Sequence, residues 1–126
     1  MILITNNPKV QNDPNIYCEK EIAGSYKDVL IAARDKIHKG HKLLTHPLSG
    51  SVKPNETPYK SILVSKEISK MDWESLQIIE DSISTYNKFM KNPIQYGYNN
   101  QEKLLADFSE VDYGLIAAAL VSASGN

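Results

Sequence analysis

The chain opens with Met1-Ile2-Leu3-Ile4-Thr5, an unbroken apolar run up to the threonine, and passes directly into Asn6-Asn7-Pro8. A short apolar run ended by turn-forming residues suits a β-strand covered on both faces. Such a strand needs packing layers on either side of its sheet. Residues 12–15 read as a turn, since Pro14 bars a regular element there. Residues 16–22 read as a second strand, with Ile16, Cys18 and Ile22 on one side and Tyr17 on the other, against the charge of Glu19, Lys20 and Glu21.

Ser25 begins a helix. Ser25 and Asp28 have capping-box spacing, with Asp in place of the usual Glu or Gln. Tyr26, Val29, Leu30, Ala33 and Ile37 recur on one helical face. Gly40 supplies the stop, after Lys36 and Lys39 have set positive charge near the helix C-terminus. Residues 42–46 read as a third strand and residues 60–65 as a fourth. Between them lies a long loop punctuated by Pro47, Pro54 and Pro58.

Two helices complete the chain. The first, 73–90, carries Trp73, Leu76, Ile79, Ile83, Tyr86 and Met90 on one face, with Asp72 as N-cap and Glu74 in its first turn. The second, 101–122, carries Leu104, Phe108, Val111, Leu115 and Ala119, and its Gly114 suggests a close helix contact. The linker 92–100 is rich in Asn and Tyr, and Tyr96 and Tyr98 flank Gly97 there. Residues 124–126 should fray. The expected fold is one α/β domain over residues 1–126, with a small, mostly parallel four-stranded sheet and about three major helices. The fourth strand is free to pair antiparallel at an edge, because the loop before it is too short and proline-rich for a crossover helix.

Composition narrows the function. At 126 residues the chain fits one domain. Fourteen basic residues against fifteen acidic ones argue against a surface devoted to nucleic acid. Cys18, alone, cannot form an internal disulfide, which suits a reducing, cytoplasmic compartment, and it reads as a small core residue. No apolar run approaches the roughly 20 residues of a membrane helix.

If the first three strands are parallel, their carboxyl ends share one edge, where ligands of open α/β sheets bind. Thr5, Asn6 and Asn7 arrive there after the first strand, and Ser25 arrives with the free N–H groups of its helix. The 46–57 loop arrives with His46, Ser49, Gly50, Ser51, Lys53, Asn55, Glu56 and Thr57. Ser-Gly-Ser followed by lysine is suited to an anion: glycine allows close approach, serines donate, lysine adds charge. It is neither a Walker motif nor a dinucleotide fingerprint. The alternative is a rigid loop whose polar groups satisfy its own backbone. His38, His41 and His46 lie close in sequence, but no cysteine or carboxylate completes a zinc spacing, so no metal and no cofactor is expected. His46 as a base toward Ser49 or Ser51 lacks a visible orienting acid.

The stretch from His38 to Ile62, together with Thr5-Asn6-Asn7-Pro8, Gly24-Ser25-Tyr26 and the 74–80 segment Glu-Ser-Leu-Gln-Ile-Ile-Glu, resembles the GrdX family. The resemblance extends to about Phe89 and implies an accessory component of the glycine, sarcosine and betaine reductase system of anaerobic, amino-acid-fermenting bacteria. It implies no catalytic residue, and the reductive chemistry would belong to other subunits. Three readings follow. In the first, a non-enzymatic accessory protein binds a small anionic ligand or a reductase component through the 46–57 loop. In the second, a small enzyme acts on a phosphorylated or carboxylated metabolite with His46, Lys53 and Glu56 converging on one point. In the third, a homodimer joined through its C-terminal helices has no ligand site.

Overall fold

The computed structural model describes residues 1–50, 52–92 and 101–123. In chain order the elements are β1 (Ile2–Thr5), α1 (Pro8–Gln11), β2 (Glu19–Ile22), α2 (Tyr26–His38), β3 (Ser61–Val64), α3 (Trp73–Met90) and α4 (Gln101–Ala123). The sheet among these residues has three strands in the order β2-β1-β3, with β1 and β2 parallel and β1 and β3 antiparallel.

This corrects the expected four-stranded, mostly parallel sheet. Residues 42–46 do run beside β3, and Leu43 bridges Val64. A side chain interrupts the ladder, however. Thr45 Oγ1 accepts from Leu63 N at 3.1 Å, the amide that would otherwise bond the Leu44 carbonyl, while Leu43 N faces away from β3 and donates to Ser75 Oγ at 3.0 Å. With a hydroxyl taking the Leu63 amide, backbone pairing does not propagate into a strand. β2 is also shorter than the apolar pattern suggested. Ile2 already pairs with Glu19 in the parallel register, so β1 has almost no chain left to pair with residues 16–18. Ile16 and Cys18 pack beneath the sheet instead. β2 is thus a four-residue edge strand in which Glu19, Lys20 and Glu21 precede an exposed Ile22.

The alternation of β1 sorts its residues between two layers. Ile2 and Ile4, with Ile62 and Val64, meet α2 and α3 through Val29, Leu30, Ala33, Ile37, Ile79 and Ile83. All five residues of the expected α2 stripe are buried. Leu3 and Leu63, on the opposite face, meet Val10 of α1 and Ile116 of α4. Burial of each such aliphatic side chain is worth roughly 1.5–3 kcal/mol. The helix caps follow the sequence: Ser25 Oγ accepts from Asp28 N at 3.1 Å, and Asp72 Oδ2 from Ser75 N at 3.1 Å. The Ser75 hydroxyl bond to Asp72 also holds that carboxyl below its ordinary range. Trp73 departs from the expected α3 face, at 73% exposure.

α4 is rotated by about one residue from its apolar stripe. Asp112 and Ile116 are its buried residues, while Val111 and Leu115 stand partly in solvent. Gly114 lies on the outer side and makes no close contact, because a Cβ built there meets nothing within 4 Å. Gly114→Ala is therefore expected to stabilise the protein by about 1 kcal/mol, the difference in helix propensity. A urea titration measures this, and a loss of stability would mean that the glycine serves a contact. Among the described residues, no helix is long and apolar enough to cross a membrane.

Candidate functional site

Because β1 and β2 are parallel, their carboxyl ends share one edge, and the antiparallel β3 brings its amino end there too. Asn6 clamps this junction. Its Oδ1 accepts from Lys60 N at 2.8 Å and its Nδ2 donates to the Pro58 carbonyl at 2.7 Å. Asn6, Ser25 and Thr57, read from three separate segments of sequence, line one crevice of about 390 Å³ together with Tyr26 and Tyr59.

Beneath that edge the polar residues form a buried cluster. Thr5 and Ser61 are opposite one another in the ladder, with their hydroxyl oxygens 2.7 Å apart. Ser61 donates its hydroxyl to Asp112 Oδ2 at 2.7 Å and its backbone N–H to Oδ1 at 2.9 Å. The Thr5 hydroxyl therefore donates to Ser61, and Thr5 Oγ1 accepts from Asn7 N at 3.0 Å. Asn7 Nδ2 donates to Asp112 Oδ2 and to the Ser109 carbonyl, each at 3.0 Å, while its Oδ1 accepts from Ser109 Oγ at 2.8 Å. Thr5 and Asn7 are fully buried, and Asn7 and Ser61 hold α4 to the sheet. At the rim, Lys9 adds an ion pair to Glu110 at 2.5 Å, and Tyr113 bonds Asp13.

Lys60 is the residue the sequence reading passed over. It is 5% exposed, and burial holds its ammonium below the ordinary 10.5, with the Asp112 charge opposing that shift. Among the described residues its Nζ has one hydrogen bond, to the Ser49 carbonyl at 3.4 Å. No nitrogen–oxygen contact within 4.0 Å joins it to Asp112. Lys60 and Asp112 instead line the same cavity of about 290 Å³, with Thr45, His46, Ser49 and Ser61 beside them and Leu115, Ile116 and Ala119 continuing the α4 face from Asp112 as an aliphatic wall.

A lowered lysine value means that the unfolded chain holds the proton more tightly than the folded one. The charged form therefore costs stability at neutral pH, and that cost fades as pH rises through the folded value toward 10.5. The stability of wild type relative to Lys60→Met should thus increase over that alkaline window. Denaturant titrations at several pH values measure it, and a difference independent of pH would contradict a buried ammonium.

The remaining loop residues do not all gather there. His46 lines the Lys60 cavity, but its Nδ1 accepts from Leu48 N at 3.1 Å. Gly50 takes a positive φ of 99°, and a Cβ there would lie 2.7 Å from Leu115 Cδ1, so the loop touches α4 at a position that requires glycine. Ser51 lies outside the described residues, as do Tyr96, Gly97, Tyr98 and residues 124–126. Lys53 is exposed, with its Nζ 6.0 Å from the Phe89 ring centroid, while its N–H donates to Glu56 Oε1 at 3.0 Å. Asn55, Glu56 and Thr57 line a different, largely apolar cavity of about 360 Å³ with Leu104, Leu105 and Phe108. His46 and Glu56 thus line different cavities, and Lys53 lines neither of the two. Leu105 and Leu115, exposed along α4, form rims of these cavities. His41 is buried with Nδ1 2.7 Å from the Ser65 carbonyl, and no metal-ligating cluster occurs among the described residues.

The sequence held one signal for Lys60, a lysine placed directly before the apolar Ser61–Val64 strand. Asp112, on an otherwise apolar helix segment, was the matching anomaly. In comparisons with known proteins, a family model described as GrdX-like protein matches residues 2–121. No curated protein and no solved structure matches the chain.

Proposed function

The chain belongs to the GrdX-like family, and from that premise we propose that it is an accessory protein of the glycine, sarcosine and betaine reductase system. Its task is to bind a small ligand bearing a carboxylate or other oxyanion, at the sheet edge covered by the 46–57 loop. One observation supports this reading: a buried lysine with no ion-pair partner among the described residues lines a cavity shared with His46 and Ser49 of that loop. A desolvated ammonium with spare donors attracts an oxyanion more strongly than the exposed Lys53 does, because solvent screens it less. Ser49, whose carbonyl accepts from Lys60, ties the loop to the same cation. The site contains no arrangement for nucleophilic catalysis among its described residues, so binding is the role proposed.

The test is thermal denaturation of the purified protein with phosphate, acetyl phosphate, glycine, sarcosine and betaine in turn. At a hundred times its dissociation constant, a ligand of the folded state alone adds about 2.7 kcal/mol, enough to move the midpoint by several degrees. A saturable shift that disappears in Lys60→Met supports the assignment. No shift with any compound would refute the small-ligand reading and direct attention to a reductase component, sought by co-purification.

A further inference from the structure

The Lys60 cavity carries two buried charges of opposite sign, and this restricts its occupant more than the cation alone does. Among the described residues Asp112 has carboxylate capacity left: Oδ1 accepts one hydrogen bond, from Ser61 N, and Oδ2 accepts two, from Ser61 Oγ and Asn7 Nδ2. An ionised carboxylate offers about four lone-pair sites. Lys60 likewise has three N–H donors and one hydrogen bond among the described residues. Both residues line the cavity, yet they do not approach within the 4.0 Å of an ion pair. A simple anion placed between them would gain Lys60 but face Asp112. A simple cation would gain Asp112 but face Lys60.

We infer that the cavity is built for a small zwitterionic amino acid, with the ligand carboxylate on Lys60, the ligand ammonium on the free position of Asp112, and a short aliphatic side chain against Leu115, Ile116 and Ala119. This deepens the proposed oxyanion reading and rests on it. Each ligand charge meets its opposite, so neither buried residue is left facing a like charge. The 290 Å³ volume and the apolar α4 wall admit a small aliphatic group and leave a third charge without a partner. Thr45 and Ser49 line the cavity, and their hydroxyls would complete the carboxylate's hydrogen bonds.

The experiment compares glycine, alanine and valine with acetate and methylamine, which each keep one of the two charges, by calorimetric titration of the intact protein. At least one of the three amino acids should bind saturably, at least tenfold more tightly than acetate or methylamine. Lys60→Met should abolish that binding. Ala119→Leu, which fills the cavity from its apolar side and leaves both charges in place, should weaken it at least tenfold and serves if Lys60→Met does not fold. Acetate binding as tightly as the best amino acid would overturn the zwitterion and leave the oxyanion reading standing. Amino-acid binding unchanged in the two variants would overturn the location. No binding of any probe would overturn the zwitterion, while the oxyanion reading falls only if phosphate and acetyl phosphate fail as well.

Discussion

Asp112→Ala should lower the stability of the protein by about 3 kcal/mol, the range seen when a buried, hydrogen-bonded charge is removed from its partners. The carboxylate accepts from Ser61 N, Ser61 Oγ and Asn7 Nδ2, and its loss strands those donors beneath α4. It also leaves the buried Lys60 ammonium without the neighbouring negative charge that favours it. The midpoint should fall by on the order of 10 °C for a domain of this size. Asp112→Asn keeps one acceptor oxygen and should lose about half as much. Circular dichroism during heating measures both. An alanine variant within about 1 kcal/mol of wild type would mean that water replaces the carboxylate without penalty.

Gly40→Ala should cost a similar amount, about 3 kcal/mol, for a different reason. Gly40 ends α2 with φ +107°, a conformation that L side chains rarely adopt, and a Cβ there would lie 2.2 Å from the Ser69 carbonyl oxygen and 2.9 Å from Ile68 Cγ2. The Ser69 N–H donates to the Gly40 carbonyl at 3.1 Å, so the two segments cannot separate without losing that bond. The turn sets the direction of residues 41–46 and hence the position of His46. Denaturant titration of Gly40→Ala tests the strain, and Gly114→Ala, which should change stability in the opposite direction, is the natural companion.

The elements that could be read from the sequence were those whose local pattern and tertiary burial agree. In α2 the Ser25 cap, the stripe from Tyr26 to Ile37 and the Gly40 stop all point the same way, and the structure buries every residue of the stripe. The apolar β1 is likewise covered on both faces. The misread elements are those where a polar group decides. The Thr45 hydroxyl intercepts the Leu63 amide whose bond would have extended residues 42–46 into a strand. The orientation of α4 follows Asp112, whose attraction to Ser61 and Asn7 outweighs the apolar stripe through Val111 and Leu115. Periodicity records only apolar surface, so a buried carboxylate that fixes a helix is invisible to it. At the site, the sheet edge was legible, because chain direction alone determines where strands end. Asn6, Ser25 and Thr57 meet in one crevice there. For Lys60 the one signal, its place directly before an apolar strand, is too common to single it out, since such a lysine looks like any solvated charge until the fold closes over it.

The shape of the sheet also bears on how the protein behaves when crowded with its own copies. The outer side of β3 is occupied by residues 42–45, through Leu44 N to the Leu63 carbonyl and Ser65 N to the Lys42 carbonyl. The opposite rim belongs to β2, four residues long, with Glu19, Lys20 and Glu21 along it. Among the described residues this is the sheet rim left open to a strand from a neighbouring molecule, and two such rims meeting would bring charged side chains together over a very short ladder. With the other side covered, such pairing closes at two molecules and cannot extend, and the charges that obscured β2 in the sequence disfavour even that pair.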